Sequence, residues 1–179
     1  MHNAMSHLQY LAHHDPLTGL ANRSLLALRL RHTIERARRD GGQCAVLYLD
    51  LDGFKAVNDR LGHDAGDDLL RRVSRRMSRR LRDVDTLARL GGDEFVLVLE
   101  QLAVHADAED VARSIITRLR RWFRLGNGNK VSIGVSIGIS VYPADADNAE
   151  ALMRRADAAL YRAKSAGRGT MKFANEVVS

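Results

Sequence analysis

The chain has 179 residues, a length that fits one compact domain and leaves little room for a second. Its 45% hydrophobic content supports a real core without disulfides, and the single Cys44 is read as a packed, reduced thiol because it has no bridging partner. No run reaches the roughly 18 apolar residues of a membrane span, and the first residues lack the pattern of a signal peptide. The chain is therefore expected to be cytoplasmic, with no membrane contact of its own, although a longer parent protein could be membrane-anchored. The net charge of +6 favours polyanionic partners without choosing among them.

Residues 1–14 read as a helical lead-in, and Asp15-Pro16 breaks it because proline restricts the residue before it. The domain proper is expected over 15–175. A helix is predicted over 23–39, with Leu26, Leu30, Ile34 and Ala37 at helical spacing, closed by Asp40-Gly41-Gly42. Ala45 to Leu51 is almost wholly apolar, as in a strand buried on both faces. A short helix to Leu61 and a longer one over 64–82 follow, the latter with the stripe Leu69, Val73, Met77 and Leu81. Its arginines, Arg71, Arg72, Arg75, Arg76, Arg79, Arg80 and Arg82, read as a solvated face.

Two short strands, 86–90 and 94–99, flank Gly91-Gly92, a strong hairpin signal. A helix over 107–124 is expected to pack through Val111, Ile115, Leu119 and Trp122, with a loop over 126–129. Then come a strand over 131–141, a helix over 148–166 with Leu152, Ala156, Leu160 and Ala163 inward, and a last strand near 170–173. This order, with strands on a single sheet around a central hairpin, makes an α+β domain.

Four clusters could carry chemistry. Asp50 and Asp52, at i and i+2 on a strand, share a face, and leaving them on an apolar strand is costly unless a cation neutralises them. Mg²⁺ suits such hard oxygen ligands; an ordinary strand-end turn is the plain alternative. Asp93 and Glu94 follow the double glycine, whose bare backbone admits a bulky ligand, and a hairpin beside the first strand would let Asp93 and Asp50 share a metal. Asn58 and Asp67 offer the acceptor and donor groups that guanine requires, though a helix–loop–helix with Asp64 as N-cap explains the same residues. Lys164 and Arg168, four apart, can face the same way near a helix end, where cations are favoured in any case, and Lys55 lies beside the first acids.

The run Asp15-Pro16-Leu17-Thr18-Gly19-Leu20-Ala21-Asn22-Arg23 resembles the opening signature of GGDEF domains. Asp50 to Lys55, Asn58-Asp59, Gly62-His63 and Gly66-Asp67 are similar to the central motif of that family, and Gly91 to Phe95 spells its name. Ser136-Ile137-Gly138, Tyr161 to Lys164 and Gly167-Arg168 complete the set, in order from about residue 15 to 170. Gly169 departs from the pattern, standing where the family often has Asn.

The resemblance implies a palm-like, mostly antiparallel sheet flanked by helices, related to nucleotide cyclases and ferredoxin-like folds. It implies a diguanylate cyclase that condenses two GTP into cyclic di-GMP and two pyrophosphates. Asp50, the Leu51 carbonyl and Asp93 would hold Mg²⁺, with Mn²⁺ as a substitute, and Asp93 with Glu94 would serve catalysis. Asn58 and Asp67 would bind guanine; Phe54, Lys55, His63, Lys164 and Arg168 would complete the substrate site. Each domain would bind one GTP, so a homodimer is required. Arg82 and Asp85 resemble the family's product-inhibitory pair, and a parent protein with sensory or phosphodiesterase domains is implied. The alternative is a catalytically silent domain that senses GTP or cyclic di-GMP within a larger signalling protein. Nucleic acid is not expected as a partner, since no aromatic residue interleaves the arginines of 71–82.

Overall fold

The computed structural model describes residues 2–176. Helix α1 (His2–His13) is the lead-in, and Met1 lies outside the described residues. Helix α2 (Arg23–Asp40) starts where the Asn22 side chain accepts from the Leu25 N–H, and it ends at Gly41 in the left-handed conformation. Strand β1 (Gln43–Asp52) extends beyond the expected Ala45–Leu51 at both ends, so that Asp52 lies on it as well as Asp50. Helices α3 (Phe54–Leu61) and α4 (His63–Ser78) meet at Gly62, with φ 90°. Gly62, not Asp64, is the N-cap residue of α4; Asp64 lies in the first turn.

Strands β2 (Thr86–Gly91) and β3 (Glu94–Leu102) form the hairpin, followed by helix α5 (His105–Leu119). The predicted strand over 131–141 divides in two. Strand β5 (Lys130–Val131) pairs with β4 (Phe123–Arg124) in a separate ribbon, and β6 (Gly134–Tyr142) joins the main sheet. Helix α6 (Ala149–Ser165) and strand β7 (Met171–Phe173) complete the domain.

The main sheet runs β2-β3-β1-β6-β7, antiparallel except for the β6–β7 pair, and helices cover it: the mixed α+β, palm-like architecture the resemblance implies. Strand β1 lies at its centre. Leu47, Leu49 and Leu51 point into the core beneath α4 and α5, while Cys44, Val46 and Tyr48 point into a second core beneath α2 and α6. Burial pushes the Cys44 thiol up to about 12, so it stays protonated and unreactive. The predicted inward stripe of α6 is buried, and Gly138 lets that helix come close: a Cβ there would lie 2.0 Å from the Ala156 carbonyl oxygen.

Two helices end earlier than their patterns suggest. Helix α4 stops at Ser78, so Arg82 and Asp85 sit in the turn before β2. Helix α5 stops at Leu119, and Trp122, expected in the core, is 66% exposed; Phe123 takes the buried place. Arg76 fixes the chain at this end. Its guanidinium turns away from solvent, donates to the carbonyls of Arg118, Arg121 and Trp122 at 3.2, 2.7 and 3.1 Å, and lies 3.4 Å over the Phe123 ring. An arginine of α4 thus ties down the carbonyl of Arg118 in the last turn of α5 and those of Arg121 and Trp122 just beyond it. The arginine face is therefore not wholly solvated.

Candidate active site

The β1–β3 register places Asp50 opposite Glu94, so Asp93, one residue earlier in the turn, comes beside Asp50. The two carboxyl groups are near enough for a protonated Asp93 to hydrogen-bond with Asp50, and the Leu51 N–H lies 3.3 Å from the Asp93 carbonyl oxygen, tying both segments together. Burial, then the charge of Asp50 and that hydrogen bond, push Asp93 up to about 6, against the opposing pull of Lys164. Asp50 itself is ion-paired with Lys164 from α6. Gly91 and Gly92, with φ 141° and 48°, make the tight turn that brings Asp93 there.

Asp52 behaves differently from Asp50. It accepts from the Ser136 hydroxyl at 3.0 and 2.8 Å and from the Gly169 N–H at 3.0 Å, with Arg168 at 3.8 Å. It therefore anchors the loop after α6. Lys164 and Arg168 do both reach the acids, but not along one helix: α6 ends at Ser165, and Arg168 stands in the loop with φ 63°. Gly169, the departure from the family pattern, is a working part of that anchor, since its carbonyl also accepts from Arg120 at 2.9 Å.

Asn58 on α3 has a buried Oδ1 with no hydrogen-bond partner. It faces Gly66 of α4 so closely that a Cβ at 66 would lie 1.7 Å from that oxygen. Asp67 follows Gly66, half-buried, while His63 and Lys55 are exposed and Phe54 is buried at the first turn of α3, whose N-terminus no side chain caps. An unpartnered buried acceptor is costly unless a ligand completes it. Glu94 is half-buried, and its charge reaches Tyr48, helping to raise the phenol's pKa after burial.

Among the described residues no three His, Cys, Asp or Glu side chains converge as a metal cluster. Two adjacent carboxylates completed by a backbone carbonyl and waters nonetheless fit a hard divalent cation, because Mg²⁺ usually takes only one or two protein carboxylates. The raised Asp93 pKa comes first from burial and then from the neighbouring Asp50 carboxylate, with a single lysine opposing them.

At the far end of β2, Arg82 pairs with Asp85, whose side chain is only 3% exposed. Asp85 accepts from the backbone N–H groups of Arg82 and Glu100, and Arg82 donates to the Glu100 carbonyl at 2.5 Å. The pair borders a cavity of about 240 Å³ lined also by Arg80, Gln101, Asp107 and Asp110.

Sequence reasoning missed two contributors. Arg89 of β2 donates through Nη1 to Asp15 at 2.9 Å, and through Nε and Nη2 to the Gly92 carbonyl at 3.0 and 2.8 Å. A lone arginine in a strand carries no periodic signal. The partner role of Gly66 was missed as well, although a glycine inside a helix is itself a clue to close packing.

Paired carboxylates thus meet at the end of the central strand of a palm-like sheet, with Lys164 of α6 on one of them and the orphan acceptor of Asn58 on helix α3. The family model for the diguanylate cyclase GGDEF domain matches residues 12–170, and the chain belongs to that family. It is 45% identical over 167 residues to diguanylate cyclase TpbB of Pseudomonas aeruginosa, covering 93% of this chain and 38% of that protein. It is 48% identical over 163 residues to the bifunctional diguanylate cyclase/cyclic di-GMP phosphodiesterase MucR of the same organism, covering 91% of this chain and 24% of that one. The solved GGDEF domain of TpbB superimposes with a TM-score of 0.89 at 45% identity, over 91% of this chain and 95% of that one. The chain thus spans well under half the length of these curated relatives.

Proposed function

We propose that this chain condenses two GTP molecules into cyclic di-GMP and two pyrophosphates, one GTP bound to each of two facing domains. The observation that carries this reading is the meeting of Asp50 and Asp93 at the end of β1, with the unpartnered Oδ1 of Asn58 on α3, the helix that follows that strand. Asn58 Oδ1 and the Asp67 carboxylate accept from guanine N1–H and N2–H₂, which gives specificity for guanine. The uncapped N-terminus of α3, at Phe54 and Lys55, offers backbone N–H groups to the triphosphate, with His63, Lys164 and Arg168 adding polar and cationic contacts.

Asp50, the Leu51 carbonyl and Asp93 would hold Mg²⁺ or Mn²⁺. The bound ion would lower the pKa of the attacking 3′-hydroxyl and neutralise charge on the α-phosphate and pyrophosphate. Asp93 is the acid placed to accept the 3′-hydroxyl proton, and Glu94 supports it. Attack requires the hydroxyl of one GTP to face the α-phosphate of the other, so the homodimer supplies the orientation. Arg82 and Asp85 would bind the product and restrain turnover.

Incubation with GTP and Mg²⁺ at high protein concentration, followed by nucleotide chromatography, tests the reading. Cyclic di-GMP that disappears in Asp93→Ala supports it. GTP binding without product would instead favour a sensing domain within a larger signalling protein.

A further inference from the structure

Trp122 is the chain's single tryptophan, and its indole stands in solvent. It is not on a loose end. Arg76 holds the Trp122 carbonyl, and Phe123, next in the chain, is buried beneath the same guanidinium. The exposed indole is therefore mounted on packed structure, presented outward by the contact at the end of α5.

Arginines cluster where α4 and α5 end. Arg79 and Arg121 lie near enough to Arg76 for their charges to lower its pKa, after the larger effect of burial. Arg80 and Arg118 donate to one shared hydroxyl, that of Ser114, at 3.1 and 3.3 Å. Arg75 on α4 and Arg124 on β4 are exposed as well. None of these six forms an ion pair among the described residues; on α4 only Arg72 is paired, with Asp68 at 3.0 Å. Guanidiniums that have no ion-pair partner repel one another, and a polyanion relieves that repulsion.

We propose that this face docks on an anionic lipid surface, with Trp122 at the headgroup level and these arginines against lipid phosphates. Tryptophan prefers the membrane–water interface, where its ring is half in an apolar medium, and clustered arginines supply the electrostatic attraction. A second copy of the chain would bring the same face and the same +6 charge, which disfavours self-association there. Single-stranded nucleic acid needs successive aromatic platforms, and this face offers one indole. The contact needs no spanning helix, so it departs from the expectation of no membrane contact, which rested on the lack of a span.

The lone tryptophan makes the test direct. The chain is mixed with phosphatidylcholine vesicles with and without about a third phosphatidylglycerol, and both co-sedimentation and tryptophan emission are recorded. Binding to the anionic vesicles only, with a blue-shifted emission that brominated lipid quenches, is expected. Trp122→Ala should bind more weakly while its GTP turnover in detergent-free solution is unchanged. Arg79→Gln with Arg121→Gln should lower binding about thirtyfold, at roughly fivefold per cation. Absence of sedimentation overturns the proposal. Sedimentation with unshifted emission also overturns it, because another face is then bound. Tighter binding to a DNA oligonucleotide or polyglutamate than to vesicles at equal salt overturns the lipid assignment in favour of that polyanion.

Discussion

Arg89 joins Asp15, at the turn where the lead-in helix α1 ends, to the glycine turn that carries Asp93, with 2.9 Å between its Nη1 and the Asp15 carboxylate. Asp15 is itself fixed by the Thr18 N–H at 2.9 Å and hydroxyl at 2.6 Å. The side chains of Arg89 and Asp15 are both largely buried, so removing one partner leaves the other unmatched. Arg89→Ala is expected to lower stability by about 2 kcal/mol and to reduce cyclase turnover at least tenfold by loosening the Gly92 carbonyl. Arg89→Lys keeps the charge but loses the fork and should fall between. Denaturant unfolding and initial rates under saturating GTP check both; a stability loss with full turnover would show that the arginine is only structural.

Gly66→Ala tests the guanine pocket without touching an ionisable group. The added Cβ would meet Asn58 Oδ1 at 1.7 Å and Phe54 at 3.3 Å, so the amide must swing out of its buried position. Helix propensity favours alanine by about 1 kcal/mol, while the overpacking costs about 1–3 kcal/mol. The expected result is a small net loss of stability with KM for GTP raised about tenfold or more. An unchanged KM would remove Asn58 from guanine recognition.

The pH dependence of stability follows from Asp93. Its pKa is raised from an ordinary 3.8 to about 6, so between those values the folded chain binds more protons than the unfolded one. Stability of the metal-free domain should therefore fall as pH rises from about 4 to about 6 and then level off, as far as this group governs it. Asp93→Asn should flatten that slope and be more stable than the parent at neutral pH. Mg²⁺ or Mn²⁺, by favouring the ionised pair, should raise the Tm of the parent at pH 7 and leave that of Asp93→Asn unmoved. Calorimetric scans across pH, with and without metal, give the answer. A stability rising with pH over this window would contradict the assignment.

Arg82→Ala should relieve product inhibition while sparing initial turnover. Gly91 lies at the far end of the six-residue strand β2 from the Arg82–Asp85 turn, on the order of 20 Å away when extended, so product bound there cannot plug the substrate site. Inhibition would act by holding two domains in an unproductive arrangement or through the strand. Progress curves with added cyclic di-GMP check it, and inhibition as strong as in the parent rejects the site.

The elements that hold the acids were legible because their chemistry is local. An apolar run ending in Asp50 and Asp52, and a double glycine before Asp93, carry their strand and turn in the residues themselves. What periodicity could not reveal depended on partners distant in the chain. The stripe through Val111, Ile115 and Leu119 continues to Trp122, yet α5 ends at Leu119, where Arg76, more than forty positions earlier, holds the carbonyls of Arg118, Arg121 and Trp122. The separate jobs of Asp50 and Asp52 were equally hidden, since Lys164 and Ser136 reach them from α6 and β6. Arg168 gave a helical spacing to Lys164 but stands beyond the helix end, in a backbone conformation that spacing does not encode.

The central place of β1 in the sheet bears on how an ion would be received. Its amides bond to neighbours on both sides up to Asp50, and residues in such a strand become accessible to hydrogen exchange only when the whole domain opens. One of the two carboxylates is thus mounted on the most persistent part of the molecule and the other on a glycine turn, so selectivity among cations would be set by how far that turn can yield.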